Sequence, residues 1–323
     1  MGFRSQCLVP LVTIAALAAA PLAYACDSTG CLLVTRGQNG VLRKGGFSLD
    51  LSFRWLDDSR RLNGSDETDV VIRPRVDLDR RQLVPGFHND LSGRDSGVQL
   101  DFGYGLGRKT TVYTSLPLFT HQTHDIGHGG VVTPYDIWGI GDVVIGVRQS
   151  LGKPVGGTLV GGVAGKLPTG RTSLIDPYDL KPLDPSLQPG SGSWDALFST
   201  QYARRFAGPG LDTALSFSFQ ANAANDHEYQ FGNEAIATLA LSRAFGSFTL
   251  TAQTKYIHEA RDDYRGQLVS STGAEFVYVA GGLRYATGRS TFYSLLQAPV
   301  HTHVNETQLA PRWGFLVGVS RVF

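Results

Sequence analysis

Six residues on or near predicted strands carry the chemistry of a hydrolase. His227–Glu228 and His258–Glu259 each combine an imidazole with a carboxylate, and Ser199 and Ser218 supply hydroxyls that such a base activates. None of them stands in a pattern typical of an outer-membrane phospholipase or a barrel protease. The sequence predicts no catalytic residue and no enzyme, and a barrel hydrolase acting on lipid or peptide stays as the alternative.

Histidines crowd two polar stretches of the chain. Imidazole and carboxylate groups bind zinc and other first-row transition metals, so both stretches are candidate metal sites. The glycines beside the first group do not hold ligands in fixed positions, and we predict solvated loops and no metal. The residues concerned are His121, His124, Asp125 and His128 in one stretch and His301 and His303 in the other.

A phosphate-binding loop is excluded by register. A P-loop ending at Gly165–Lys166 requires glycine at position 160 and serine or threonine at position 167, where the chain has Val160 and Leu167. Lys and Arg total 29 against 28 Asp and Glu, a balance that argues against a nucleic-acid partner. We therefore predict no cofactor and no nucleic acid.

Apolar residues alternate with polar ones along much of the chain. Phe47, Leu49, Leu51, Phe53 and Trp55 alternate with Ser48, Asp50, Ser52 and Arg54, which is the period of a strand with two different faces. Similar segments recur and give twelve predicted strands. They cover 46–56, 98–104, 108–119, 139–150, 157–167, 194–206, 211–220, 235–245, 248–258, 275–286, 290–299 and 313–323.

The connections between these strands alternate in length. Short turns such as 105–107 and 246–247 alternate with long polar stretches such as 57–93, 120–138 and 168–193. This pattern is typical of an all-β protein, a transmembrane antiparallel up-and-down β-barrel of twelve strands with both termini in the periplasm. A soluble sandwich also alternates, but it does not explain why the long loops fall at one end only.

Charged residues on the polar face would line the inside of such a barrel. A midplane Arg or Lys facing lipid costs ~2–4 kcal/mol, so the polar face turns inward. Six cations against four acids predict a mild preference for anionic solutes, and mutual ion pairing that plugs the lumen is the alternative. The predicted pore-lining residues are Asp50, Arg54, Asp101, Asp142, Arg148, Lys166, Asp195, Arg205, Lys255 and Arg284.

The N-terminal residues resemble a secretory signal. Arg4 precedes an apolar run, and Ala23-Tyr24-Ala25 reads as a cleavage site, so we expect a signal peptide at 1–25. Residues 26–45 are then a periplasmic extension or an inserted plug, and 46–323 form the barrel. Cys26 and Cys31 would close a disulfide after export, with lipid attachment at Cys26 as the alternative.

Aromatic residues mark the end of the chain. Trp313, Phe315, Val317, Val319 and Phe323 share one face, and a terminal aromatic resembles the signal read by the outer-membrane assembly machinery. Arg321 stands where an aromatic is usual, and we expect its side chain to snorkel toward the headgroups.

Three blocks of sequence resemble a known family. They are GDVVIGVR at 141–148, GKLPTGRT at 165–172 and LQPGSGSWD at 187–195. Their order and spacing are similar to those of the MetA-pathway of phenol degradation family of outer-membrane proteins. The resemblance implies a twelve-stranded barrel with a transporter or channel role and no catalytic residues. Taken individually, the blocks also have the residue types of turns at a barrel rim.

The sequence therefore predicts an outer-membrane channel of a Gram-negative bacterium. Passive diffusion of a small solute, anionic or aromatic, is the expected function, because no nucleotide site is present to drive transport. Outer-membrane lipids and lipopolysaccharide are the expected surroundings. We predict that the charged first long loop is a solvated surface, with contact between its basic groups and lipopolysaccharide phosphates as the alternative. A closed structural or adhesive barrel is a further alternative.

Overall fold

The computed structural model describes residues 41–128, 131–176, 180–206 and 210–323, together with a short backbone pairing of Tyr24–Ala25 with Gly37–Gln38. Cys26 and Cys31, and with them the predicted disulfide, lie outside the described residues, as does most of the predicted signal peptide. None of the helices within the described ranges has the length and apolar character needed to cross a membrane.

Twelve antiparallel strands form a closed barrel, as the alternation predicts. Each strand pairs with the next one along the chain, and β1 pairs with β12 from Ser48–Val322 to Asp57–Trp313. Closure gives every strand two hydrogen-bonded neighbours, which a sheet in hydrocarbon requires. The strands are β1 Phe47–Asp58, β2 Gln82–Gly105, β3 Thr110–His128, β4 Val143–Gly152, β5 Thr158–Leu167, β6 Asp195–Phe206, β7 Leu211–Ala221, β8 Glu234–Phe245, β9 Phe248–Glu259, β10 Ala274–Thr287, β11 Ser290–Val304 and β12 Trp313–Val322.

Apolar and polar side chains separate onto the two faces of this wall. On β1, Leu51 is 42% exposed on the outer face, whereas Asp50 and Ser52 beside it are buried on the inner face at 5% and 3%. Outward leucines, valines and phenylalanines form a continuous belt around the other strands. The belt faces the lipid, and the polar residues face the interior.

Aromatic residues form two girdles at the edges of the belt. All four tryptophans of the chain lie at the end that carries the long loops, here called the loop end. The opposite end, here called the short-turn end, carries phenylalanine and tyrosine, with Phe47 and Phe323 5.5 Å apart and Phe248 and Tyr285 4.9 Å apart. Amphipathic rings at both interfaces are typical of a membrane-spanning barrel.

Two strands extend beyond the barrel at the loop end, where the sequence predicted loops. The polar stretch 120–138 is the upper part of β3 paired with a strand at Val131–Gly139, and β4 begins at Val143 and not at 139. Likewise β2 begins at Gln82 within the stretch predicted as a loop, and it pairs with Ile72–Asp77. Strands above the membrane have no face in contact with lipid, so they need no strict apolar alternation and escape a search for it.

The long loops pack on one another above the barrel. Short strands at Arg60–Asn63 and Thr307–Ala310 pair, and so do Tyr229–Gln230 and Asp263–Tyr264. Beneath the loops, Val76, Tyr229, Tyr264 and Val269 form a small buried apolar cluster. The remaining short strands are Asp66–Glu67 and Gln267–Leu268, and 3-10 turns span Pro154–Gly156 and Pro185–Leu187.

The segment before β1 enters the short-turn end of the barrel. The Leu42 amide donates to Thr111 Oγ1 at 2.7 Å, and Leu42 is buried against Gly103 on the inner wall. A backbone pair between Gly46 and Gly105 at 2.9 Å fixes the segment. At Gly105 any Cβ would lie 2.1 Å from the Arg43 carbonyl oxygen, so only glycine allows this approach.

Candidate functional site

The three sequence blocks converge on the carboxylate of Asp142, at the loop end of β4. The Gly170 amide donates to Asp142 Oδ1 at 2.8 Å, and the Ser191 amide and hydroxyl both donate to Oδ2 at 2.7 Å. Asp142 thereby fastens both ends of the loop 168–193 to the wall. We call this arrangement the Asp142 clasp. Three hydrogen bonds to one buried carboxylate stabilise a loop more than bonds between neutral groups do.

Lys166 supplies the positive charge next to the clasp. Its Nζ forms an ion pair with Asp195, the residue opposite it in register on β6, and lies 4.0 Å from Asp142 Oδ2. Asp195 also accepts a hydrogen bond from the Ala223 amide at 3.0 Å. All three charged side chains are nearly fully buried, so each depends on the others to offset the loss of hydration.

Glycines let the loop cross itself beside the clasp. A Cβ at Gly190 would lie 2.5 Å from the Gly170 carbonyl carbon, and one at Gly170 would lie 2.6 Å from the Gly190 Cα. The two backbones therefore meet at a distance that no other residue type allows.

A polar chamber of about 410 Å³ lies between the loop 168–193 and the barrel wall. Lys166, Asp142 and Ser191 form one side, and Arg73 and Asp262 reach it from the loops above. Pro117, Pro189 and Phe231 supply apolar wall. Amide side chains also line it, and they are Gln99, Gln122, Gln188, Gln220, Asn222 and Gln308.

Below the chamber the inner wall is occupied by paired side chains. Lys255 is 1% exposed, donates to Gln297 Oε1 at 3.2 Å and lies 5.0 Å from the centroid of the Tyr278 ring. Nearer the short-turn end, the Arg148 guanidinium lies 4.0 Å from the Tyr113 ring centroid. These contacts hold cations on the inner wall without exposing them to lipid.

Most of the ten predicted pore-lining residues are buried on the inner face. Asp50, which accepts from the Tyr293 hydroxyl at 2.5 Å, is buried together with Asp142, Arg148, Lys166, Asp195, Lys255 and Arg284. Arg54 and Asp101 are half-buried, and Arg54 lines the chamber. Arg205 lies at the short-turn end, where it binds Asp212 with bonds of 2.7 and 2.9 Å. Their role in a pore stays a prediction.

Five inner-wall carboxylates are missing from the predicted set. Glu234 and Glu259 are opposite each other in register and both line the chamber. Asp58 and Asp95 contact each other near the loop end, and Asp212 binds Arg205. Strand parity alone places Asp212 inward. The other four lie at or beyond the ends of the predicted strands, where the alternation of polar and apolar residues does not predict which face a side chain occupies. With these five, nine named carboxylates stand beside the six predicted cations on the inner wall, and the preference for anionic solutes stays a prediction.

The loops above the chamber carry their own buried charges. Arg73 lies 3.5 Å from Asp90, a fully buried carboxylate that is also 3.1 Å from His88 Nε2 and 3.3 Å from His124 Nε2. On the other side, Asp262 accepts from the Tyr229 hydroxyl and, at 2.8 Å, from the Gly232 amide. Burial raises the pKa of Asp262 above its ordinary value despite these two bonds.

The histidine stretches do not form a common site. His121 binds Asp136 at 2.6 Å, His303 Nδ1 lies 3.2 Å from Ser65 Oγ, and Asp125 accepts from Ser92 at 2.7 Å. His301 is exposed on β11, and nothing is described of the His128 side chain. Across the described ranges, no group of three or more histidine, cysteine or acidic residues is arranged to hold a metal ion.

The hydrolase candidates lie apart. Ser199 and Ser218 are opposite each other on the inner face of β6 and β7, whereas His258 is on the outer face of β9 and contacts Glu275 at 3.3 Å. His227 is exposed in a loop, and its neighbour Glu228 binds Arg265 at 2.9 Å. None of these histidines is placed to activate either serine.

A known protein family matches the part of the chain that contains these features. A family model described as the MetA-pathway of phenol degradation matches residues 77–310, a range that contains the Asp142 clasp and the chamber. The chain belongs to this family. No curated protein is significantly similar to the sequence.

A solved channel structure supports the fold. An outer membrane channel from Pseudomonas putida F1 is similar with a TM-score of 0.60 at 12% identity, over 90% of this chain and 100% of that one. The β domain of the Bordetella autotransporter BrkA is similar with a TM-score of 0.45 at 12% identity, over 87% of this chain and 100% of that one. The closed barrel with its apolar belt is a bacterial outer-membrane barrel.

Proposed function

We propose that this family member is a channel for passive diffusion of a small solute across the outer membrane. The chamber carries this proposal, because a barrel that served only as an anchor would have no need of a polar cavity of about 410 Å³ beneath an anchored loop. Volumes of about 300–1,000 Å³ are those of small-molecule sites. The similarity in fold to an outer membrane channel and the family description support the same role.

The chamber favours an uncharged or aromatic solute over an anionic one. Arg54, Arg73 and Lys166 face it, but Asp142, Glu234, Glu259 and Asp262 face it as well, so its lining holds no excess of cations to attract an anion. Phe231 and the prolines offer apolar contact to a ring, and the surrounding amides offer hydrogen bonds to a hydroxyl group. A small aromatic solute with a polar group matches both features.

The segment before β1 acts as a constriction at the short-turn end in this proposal. Leu42 borders an inner cavity of about 20 Å³ together with Asp50, Asp101 and Arg148. For residues 41–45, the described part of the predicted segment 26–45 next to β1, this contact supports an inserted plug over a free extension. The short-turn end is then the periplasmic end, with both termini on that side.

Conductance in planar lipid bilayers tests the proposal. The purified protein is expected to give unitary current steps above the lipid background. In a gradient of potassium chloride, the reversal potential should show no strong preference for anions, since the chamber lining holds no excess of cations. Absence of unitary steps would refute the channel, and strong anion selectivity would refute the assignment of the solute.

A further inference from the structure

Three arginines on the lipid-facing side of the barrel stand two residues before a phenylalanine at the short-turn end. Each arginine has the strand parity of an exposed apolar residue on the same strand, namely Phe198, Leu241 or Val317. Each guanidinium carbon lies over the ring of its phenylalanine, at 4.6, 5.3 and 5.0 Å from the centroid. The pairs are Arg204 with Phe206, Arg243 with Phe245 and Arg321 with Phe323.

These side chains point away from the middle of the membrane. Because each phenylalanine belongs to the girdle at the short-turn end, a guanidinium over its ring lies near the level of the lipid headgroups. None of the three is in ion-pair distance of a carboxylate in the described ranges. Arg205 differs, because it faces inward and binds Asp212 through two bonds. A lipid-facing guanidinium at this level has one abundant anion within reach, the headgroup phosphate.

An apolar groove of about 720 Å³ runs along the outer wall beside Arg243. Ala252 and Gly281, opposite each other in register on β9 and β10, form its floor. A Cβ built on Gly281 meets nothing within 4 Å, so the space above it is open. Larger side chains form its walls, and they include Leu241, Leu250, Leu283, Leu296 and Phe315.

We propose that Arg243 and this groove form a binding site for an anionic phospholipid. The phosphate binds the guanidinium of Arg243, which the Phe245 ring holds in place, and one acyl chain fills the groove over Gly281. The charge of Arg243 at one end of an apolar groove matches a lipid, whose phosphate is joined to its acyl chains. Arg204 and Arg321 bind further headgroups of the same leaflet, without a groove beside them. This site is separate from the solute path, since Arg243, Ala252 and Gly281 have the strand parity of the lipid-facing side.

Native mass spectrometry of the full-length protein tests the proposal. The protein in detergent is mixed with equal amounts of phosphatidylglycerol and phosphatidylcholine, and the lipids that stay bound are counted. We expect preferential retention of phosphatidylglycerol. Arg243→Gln should lose one retained phosphatidylglycerol, and the matched control Arg205→Gln should lose none, because Arg205 is already neutralised by Asp212.

A variant that keeps every charge distinguishes lipid binding in the groove from simple attraction of the lipid to the arginine charge. Gly281→Leu fills the groove and should lose the same lipid as Arg243→Gln, while the lipids at Arg204 and Arg321 stay bound. Migration of unheated samples in gels shows that each variant is folded. Equal retention of the two lipids would overturn the proposal. So would the same loss in Arg205→Gln, or no effect of Gly281→Leu.

Discussion

Replacing Asp142 by alanine should release the loop 168–193 from the barrel wall. The substitution leaves the Gly170 amide and both Ser191 donors without their acceptor, and each bond to a charged group contributes about 1.5–3 kcal/mol. Water from the adjoining chamber can accept some of the hydrogen bonds that Asp142 no longer accepts, so we expect a loss of about 3–6 kcal/mol in the stability of the closed loop. Lys166 keeps Asp195 as a partner. The barrel itself should therefore stay folded.

Single-channel recording measures the consequence. A released loop widens the chamber, so Asp142→Ala should show larger and noisier unitary currents than the parent protein. Ser191→Ala removes only the hydroxyl bond and should give a smaller change in the same direction. Asp226→Asn, at an exposed loop position, is the matched control and should leave the current unchanged. Currents in Asp142→Ala that equal those of the parent would refute the reasoning that the clasp holds a constricting loop.

Three further predictions concern the same region. Lys166→Met leaves two buried carboxylates without their cation and should lower the free energy of unfolding by about 3–5 kcal/mol, measured by the urea concentration at which the barrel unfolds; an unchanged midpoint would contradict it. Gly170→Ala places a methyl group against the Gly190 backbone and should prevent loop closure, giving currents like those of Asp142→Ala, whereas parent-like currents would show that the crossing relaxes. The pKa of Asp262 is higher in the folded state than in the unfolded chain, so its contribution to stability is present below the ordinary carboxyl pKa and is lost as pH rises through the folded pKa. In the parent protein the melting temperature should therefore decrease as pH rises through this range, and Asp262→Asn should remove the part of the decrease that comes from Asp262. The same dependence of melting temperature on pH in Asp262→Asn and the parent would count against this prediction.

The membrane-spanning part of the fold follows from sequence because two solvents act on it. Lipid outside and polar groups inside impose a period of two, and this fixes the number of strands and the inward direction of residues such as Asp50 and Lys255. Beyond the membrane that constraint ends. The upper parts of β2 and β3 are strands among polar residues, and alternation gave no evidence of them.

The clasp shows a second limit. Asp142, Gly170 and Ser191 each have the residue type of a turn, and the sequence predicts them as separate turns at the rim. Their meeting depends on the path of the loop between them, which is set by contacts such as the buried Leu183 and Leu187 against Ile126 and Ile137. No local pattern encodes such contacts. Glu234 and Glu259 escaped prediction because they lie at strand ends, where the alternation of polar and apolar residues stops.

The central claim is that the solute passes through the chamber, and thiol modification tests it most directly. In a background with Cys26 and Cys31 changed to serine, Gln220→Cys places a thiol in the chamber lining, and Phe217→Cys places one on the lipid-facing side of the same strand. Addition of a charged methanethiosulfonate reagent during recording should reduce the current through Gln220→Cys and leave that through Phe217→Cys unchanged. Modification of Gln220→Cys, verified by mass, with no change in current would contradict the account.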